Sequence, residues 1–204
     1  MIKYHKMAAS FTMEEQNNNR EQNRTNKRLL IICGDKMKEK NITLLNKLIL
    51  ITGTAGFIGS NLVIKLLSEI HPIHIIGIDN MNDYYDISIK EYRLKQIESI
   101  AAEHLDSSWK FIKGSIADKE LVDFIFAKYK PAVVVNLAAQ AGVRYSITNP
   151  DVYIQSNLIG FYNILEACRH SYDNGQTGVE HLIYASSSSV YGTNKKVPYS
   201  TEDK

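Results

Sequence analysis

Gly53, Gly56 and Gly59 recur at three-residue intervals in Thr52-Gly53-Thr54-Ala55-Gly56-Phe57-Ile58-Gly59. This stretch joins the apolar run Leu48 to Thr52 to a segment in which Ile58, Leu62, Val63, Leu66, Leu67 and Ile70 repeat at helical spacing. Glycines in a strand-to-helix turn let the backbone approach an anion closely, and the helix N-terminus presents free N–H groups and the positive end of its dipole. The chemistry predicted is the seating of a pyrophosphate over Gly53 to Ile58. Asp79 follows Gly53 by 79 − 53 = 26 positions, at the end of a second apolar run. A carboxylate there takes ribose hydroxyls and repels a 2′-phosphate, which favours NAD over NADP. Each signal alone is weak: a glycine turn can be a steric convenience, and Asp79 with Asn80 can simply cap a turn. Their order and context make the pair specific.

The elements that must hold these residues alternate. Leu48 to Thr52, His74 to Asp79, Trp109 to Lys113, Ala132 to Leu137 and His181 to Ser186 are short runs with strand character. Helices are predicted after Gly56, over Ser88 to about Leu105, over Asp118 to Tyr129 with Asp118 as N-cap and Pro131 as terminator, and over Gln155 to His170. Ser171 to Glu180, with Asp173, Asn174, Gly175 and Gly178, reads as a surface loop. Strands alternating with helices give an α/β chain with a Rossmann-like doubly wound parallel sheet, ending after its fifth strand.

The Gly-x-x-Gly-x-x-Gly spacing resembles the short-chain dehydrogenase/reductase family. Four ordered segments narrow the resemblance to its extended, nucleotide-sugar-modifying branch, and within it to UDP-glucuronate 4-epimerases. They are Asp79-Asn80-Met81-Asn82-Asp83-Tyr84-Tyr85-Asp86, Asn136-Leu137-Ala138-Ala139-Gln140-Ala141-Gly142-Val143-Arg144-Tyr145-Ser146, Asn157-Leu158-Ile159-Gly160-Phe161, and Tyr184-Ala185-Ser186-Ser187-Ser188-Ser189-Val190-Tyr191-Gly192. The resemblance runs from about residue 47 to the end. It implies that NAD is the cofactor, with Phe57 and Ile58 at the pyrophosphate, Asp79 and Asn80 at the adenosine ribose, and Lys90 at the adenosine end. Leu137, Ala138 and Ala139 would line the nicotinamide side, a role compatible with plain strand packing, and Asn157 would support the site. Ser115, with Ile116, stands where such enzymes usually carry an acid for the adenine amino group; a hydroxyl is the weaker partner.

Ser187 matches the family's catalytic Ser/Thr, which hydrogen-bonds the 4-hydroxyl of the sugar, with Ser188 and Ser189 following it toward the substrate; a serine run can also be small residues packed at a strand end. Gln140 and Arg144 are candidates to face the sugar or its carboxylate, against the ordinary reading of Arg144 as a solvated loop residue. The implied reaction is 4-epimerisation of a UDP-sugar, UDP-glucuronate to UDP-galacturonate, through a 4-keto intermediate. It needs a tyrosine and a lysine on one helical face at Tyr-x-x-x-Lys spacing. Tyr191 and Lys195 have that spacing, but Gly192, Thr193 and Asn194 between them are poor helix formers. The resemblance implies that the catalytic pair comes later, on a helix that would follow Thr201-Glu202-Asp203, outside this chain, which alone is expected to be inactive and marginally stable. Other readings are a different nucleotide-sugar epimerase, a dehydratase or a decarboxylase of the same family, or a non-catalytic NAD-binding module. Dehydratases of the family carry acids where this chain has Ser188 and Ser189.

The remainder sets bounds. Twenty-four basic against 22 acidic residues leave a formal charge of +2, which gives no footprint for nucleic acid or a membrane surface. Cys33 and Cys168 lie far apart with no metal-ligand spacing around them, so no metal is expected, and buried thiols fit a reducing cytoplasm. No segment is long and apolar enough to span a bilayer. Residues 1 to 46 are read as a disordered or spurious extension, Glu14 to Arg28 being too polar to offset its ordering entropy, with Met37 as an alternative start; 47 to 204 form the partial cofactor domain. Full-length relatives are expected to be homodimers.

Overall fold

The computed structural model describes residues 43–173 and 178–200. The readings of the extension, of Met37 and of Cys33 lie outside the described residues, as do 174–177 of the predicted loop and the last four residues. The described chain belongs to two compact units, one spanning Leu44–Ile183 and the other comprising Thr43 and the residues from Tyr184 on.

Five strands form one sheet in the order β3-β2-β1-β4-β5: β1 Leu48–Thr52, β2 His74–Asp79, β3 Ser108–Lys113, β4 Val133–Asn136 and β5 His181–Tyr184. β1 runs parallel to β2 on one side and to β4 on the other, with Ile51 beside both Gly77 and Val135. The order reverses between β1 and β4, which is where an open sheet of this kind leaves a crevice at the carboxyl ends of its strands. β4 and β5 are shorter than the predicted runs because Leu137 and Ala185 already leave the ladder.

Alternation along the strands divides the core between two faces. Leu50, Ile76, Ile78 and Val134 pack with Val122, Ile125 and Phe126 of α3 (Lys119–Tyr129) and with Ile164, Ala167 and Cys168 of α6 (Phe161–His170). Ile49, Ile51, Ile75, Val133 and Val135 point the other way, toward α1 (Phe57–Glu69) and α2 (Ile87–Ala102), whose buried positions include Val63, Leu67, Leu94 and Ile97. Ile58, expected on the apolar face of α1, is 65% exposed instead. It sits in the first turn of α1.

Helix ends follow the capping chemistry. Asp86 starts α2 by accepting from Ser88 N at 2.9 Å, and that bond holds the Asp86 carboxyl below the usual range. Asp118 does the same for α3 through Leu121 N at 3.0 Å, and Lys130, left-handed at φ 48°, ends it just before Pro131. The fourth predicted helix starts earlier than its pattern. α4 (Tyr145–Thr148) is followed by α5 (Pro150–Tyr153), a π-helical stretch Ile154–Gly160, and only then α6. Pro150 at the first helical position was the missed start signal, since its fixed φ and absent N–H suit that position.

Cys168 is buried in the core, and desolvation pushes its thiol up to about 12. At pH 8 the folded chain should therefore leave Cys168 unmodified by iodoacetamide over hours, with rapid modification in urea. Peptide mapping by mass spectrometry reads this site separately from Cys33, and fast native labelling of Cys168 would contradict the packing described.

Candidate functional site

The glycine turn leaves β1 with Gly53 at φ 73°, where a side chain would lie 2.9 Å from Ala138 N. Gly53 N donates to Ile78 O at 2.7 Å, which ties the turn to β2, and Gly56 N donates to Gly53 O at 3.1 Å, which closes the turn on itself. A Cβ on Gly59 would stand 2.2 Å from Gly53 O, so the first turn of α1 packs directly on the glycine turn. Gly56 caps α1 without any side-chain hydrogen bond. The first-turn N–H groups therefore remain for an anion, and Phe57, 71% exposed, flanks them with Ile58. This cradle fits a dinucleotide pyrophosphate.

Asp79 ends β2 beside that turn. Its Oδ2 accepts from Ala55 N at 3.1 Å and its Oδ1 from Met81 N at 2.9 Å, so the acid both fixes the turn and orders the loop after β2. Lys90, on α2, is 4% exposed, with Nζ 3.6 Å from Asp79 Oδ1 and donating to Asn82 Oδ1 at 2.8 Å. The ammonium also lies 5.1 Å from the centre of the Tyr85 ring. Lys90 is thus tied to the acid that ends β2 and to the loop that follows it. Asn80 is exposed, and its Oδ1 accepts from Asn82 N at 3.1 Å.

The turn after β4 completes the crevice. Thr52 Oγ1 donates to Asn136 Oδ1 at 2.7 Å and accepts from Leu137 N at 3.1 Å and Ala138 N at 2.9 Å, a junction between the two central strands. Ala138 and Leu137 are partly buried there and Ala139 is exposed. Asn157, carried by the π-helical stretch, clamps Gln140 from both sides: Oδ1 accepts from Gln140 N at 2.8 Å and Nδ2 donates to Gln140 O at 3.0 Å. Gln140 itself is buried; its Oε1 accepts from Asn82 Nδ2 at 3.3 Å and its Nε2 donates to Ala141 O at 3.2 Å, so its amide holds the loop together. Tyr153 donates its hydroxyl to the carbonyls of Ala141 and Gly142. Arg144 is exposed at the start of α4.

A polar chain thus runs from Asp79 through Lys90, Asn82 and Gln140 to Asn157. Asn82 is a link that sequence reasoning did not single out, and so is Arg93, which donates to Ala55 O at 3.2 Å and to the Tyr85 hydroxyl at 2.9 Å. A signal existed for Lys90: it shares helical spacing with buried Leu94 and Ile97, which puts a cation on an apolar face. Ile116 is a core residue, packed against Gly160, and Ser115 spends its Oγ on Ala117 N at 3.1 Å.

In the second unit, Ser187 caps a 3₁₀ turn, Ser188–Tyr191, accepting from Ser189 N at 3.2 Å and donating to Ser189 Oγ at 3.1 Å. Ser187 and Ser189 are exposed. Tyr191 stacks on Tyr199 with ring centres 4.7 Å apart, Gly192 follows at φ 60°, and no helix carries Tyr191 and Lys195 together. Among the described residues no group of acids, histidines and cysteines could hold a metal ion, and no helix is long and apolar enough to cross a membrane.

Comparison with known proteins places the fold and the family. The chain is 51% identical over 155 residues to protein CapI of Staphylococcus aureus, and 42% identical over 156 residues to UDP-glucuronate 4-epimerase 4 of Arabidopsis thaliana, each match covering 76% of this chain. It spans 42% and 32% of their respective lengths. Among solved structures, a UDP-glucose 4-epimerase from Bifidobacterium longum in complex with NAD+ and UDP superposes with a TM-score of 0.61 at 27% identity, over 77% of this chain and 42% of that one. A UDP-glucuronic acid 4-epimerase variant from Bacillus cereus, in complex with UDP-4-deoxy-4-fluoro-glucuronic acid and NAD, gives 0.58 at 32% identity, over 73% and 43%. The family model described as GDP-mannose 4,6 dehydratase matches residues 50–204, from the strand that feeds the glycine turn through the serine run, and the chain belongs to that family.

Proposed function

We propose that this chain is the cofactor-binding part of an NAD-dependent nucleotide-sugar 4-epimerase that interconverts UDP-glucuronate and UDP-galacturonate. The observation that carries the reading is the Asp79 carboxylate held against Ala55 of the glycine turn, an acid and an anion cradle spaced for a ribose and its pyrophosphate. When bound, NAD supplies the acceptor for the hydride at C4 of the sugar and gives that hydride back.

The chain's own residues bind and orient. Phe57 and Ile58 seat the pyrophosphate, Asp79 with Asn80 takes the ribose, and Leu137 to Ala139 border the nicotinamide side with Asn157 fixing the turn. Ser115 and Ile116 border the adenine end. Ser187 hydrogen-bonds the sugar 4-hydroxyl, positions 188 and 189 continue toward the sugar, and Arg144, exposed and cationic, meets the glucuronate carboxylate. Gln140 shapes the sugar-side loop from within. The proton acceptor is assigned to a tyrosine outside this chain, because Tyr191 and Lys195 share no helix. The 42% identity to the Arabidopsis UDP-glucuronate 4-epimerase supports the choice of substrate. We also assign the protein to the cytoplasm and to polysaccharide biosynthesis, and the longer protein to a homodimer.

The test compares this 204-residue chain with the longest product of its native gene, for NAD binding by calorimetry and for UDP-glucuronate turnover by chromatography of the sugars. The chain should bind NAD without turnover, and the longer product should form UDP-galacturonate. Failure of the chain to bind NAD, or a longer product that leaves UDP-glucuronate unchanged, would sink the reading.

A further inference from the structure

The three glycines that allow close approach to an anion also make the turn conformationally permissive. In particular, the peptide unit joining Ala55 to Gly56 has a glycine on one side and can rotate at small steric cost. Rotation would exchange a carbonyl for an N–H in the surroundings of the cradle, and a carbonyl facing a phosphate repels it.

That unit is held at both ends. Its N–H, on Gly56, donates to Gly53 O at 3.1 Å, and its carbonyl, on Ala55, accepts from Arg93 Nη1 at 3.2 Å. The preceding unit is held by Asp79 through Ala55 N at 3.1 Å. Arg93 is in turn fixed: the same Nη1 donates to the Tyr85 hydroxyl at 2.9 Å, and its guanidinium carbon lies 5.7 Å from the Tyr85 ring centre and 5.9 Å from that of Phe57. An acid from the end of β2 and a base from α2 thus grip adjacent peptide units of one turn. Bonds to a charged donor are stronger than neutral ones, and here the donor sits in a partly buried setting.

We infer that Arg93 is a positioning residue for dinucleotide binding: through the Ala55 carbonyl it locks the peptide orientation on which the pyrophosphate cradle depends. The inference rests on the proposed NAD-binding role. Arg93 acts on the diphosphate and leaves the ribose acid alone, so its loss should separate ligands by their phosphates.

Calorimetric titration of the full chain with NAD, ADP and adenosine reads that separation. Arg93→Met should weaken NAD and ADP about tenfold, the scale of one charge-assisted hydrogen bond, while adenosine changes by less than about twofold. Tyr85→Phe keeps the ring and removes the hydroxyl that steadies the guanidinium; it should weaken ADP in the same direction, by about threefold, and it carries the test should Arg93→Met be insoluble. Arg93→Lys keeps the charge but not the planar fork and should recover less than half of the logarithmic loss. Equal weakening of adenosine and ADP, unchanged ADP binding in both the Arg93→Met and Tyr85→Phe chains, or complete rescue by lysine would overturn the inference. A wild-type chain that binds neither NAD nor ADP would instead defeat the functional reading beneath it.

Discussion

Gly59→Ala should abolish NAD binding and lower folding stability by about 3 kcal/mol, the upper end of the usual cost of overpacking. The added methyl would sit 2.2 Å from Gly53 O and 2.9 Å from Thr54 Cα, both backbone atoms that no side-chain rotation can move away. Relief requires α1 to slide off the glycine turn, which opens the cradle. Gly56→Ala offers the comparison within the same turn, because its methyl would meet Gly53 O at 3.1 Å, a contact that a few tenths of an ångström relieves. Urea denaturation followed by the fluorescence of Trp109, the single tryptophan, with parallel NAD titration, checks both. Gly59→Ala as stable as Gly56→Ala would mean that the packing of α1 on the turn is looser than described.

Asp79→Ala should cost about 3 to 5 kcal/mol even without ligand, the range for breaking a buried ion pair from one side. The side chains of Asp79 and Lys90 are 8% and 5% exposed, so removal of the acid strands an ammonium in the interior. Asn82 Oδ1 and the Tyr85 ring still face Lys90, which places the expected value toward the lower end of that range. The double change Asp79→Ala with Lys90→Met removes the stranded charge and should regain most of the loss, as an apolar replacement of a buried pair commonly does. NAD binding should be lost in both chains. If the double variant is no more stable than the single one in urea denaturation, the two charges are not energetically coupled. Asp79 has a structural duty of its own, through Ala55 N, Met81 N and Lys90.

What the sequence revealed and what it hid divide along the range of the interactions. The five strands, the glycine turn and the acid at the end of β2 are written in local pattern: β-branched runs, a spacing of three, and a strand end. The helix start at Asp118 follows from a side chain that bonds its own neighbour, and Asp86, which caps α2 in the same way, was not read as a cap. The fourth helical segment was legible from Gln155 on, and its earlier start was missed because Tyr145–Tyr153 falls into two four-residue helices, too short for an apolar repeat to show, with Pro150 as the unread start signal. Hidden altogether were the pairings between distant residues. That Gln140 turns inward to Asn82, that Arg93 reaches Ala55, and that Ile116 fills the core beneath Gly160 depend on how elements dock, and nothing in a linear spacing of 58, 38 or 44 residues announces it. Exposed Ile58 was misplaced for the opposite reason: its spacing fits the buried stripe, but α1 begins only one residue before it, at the turn left open to solvent.

The junction at Thr52 has a consequence for the order in which the protein becomes competent. Thr52 closes on Asn136, Leu137 and Ala138, and Gly53 packs on Ala138, so the crevice has one wall that is synthesised 138 − 53 = 85 residues after the other. At ribosomal speeds of roughly 5–20 residues per second, the glycine turn waits on the order of ten seconds for its opposite wall. During that interval the nascent chain can pair β1 with β2 and β2 with β3 but has no finished pocket, and tight capture of a dinucleotide should mark the moment when β4 has taken its place beside β1. Ligand added during translation would then stabilise only chains that have passed that point, and a ladder of ribosome-stalled lengths should gain affinity in a single step once β4 has emerged from the exit tunnel.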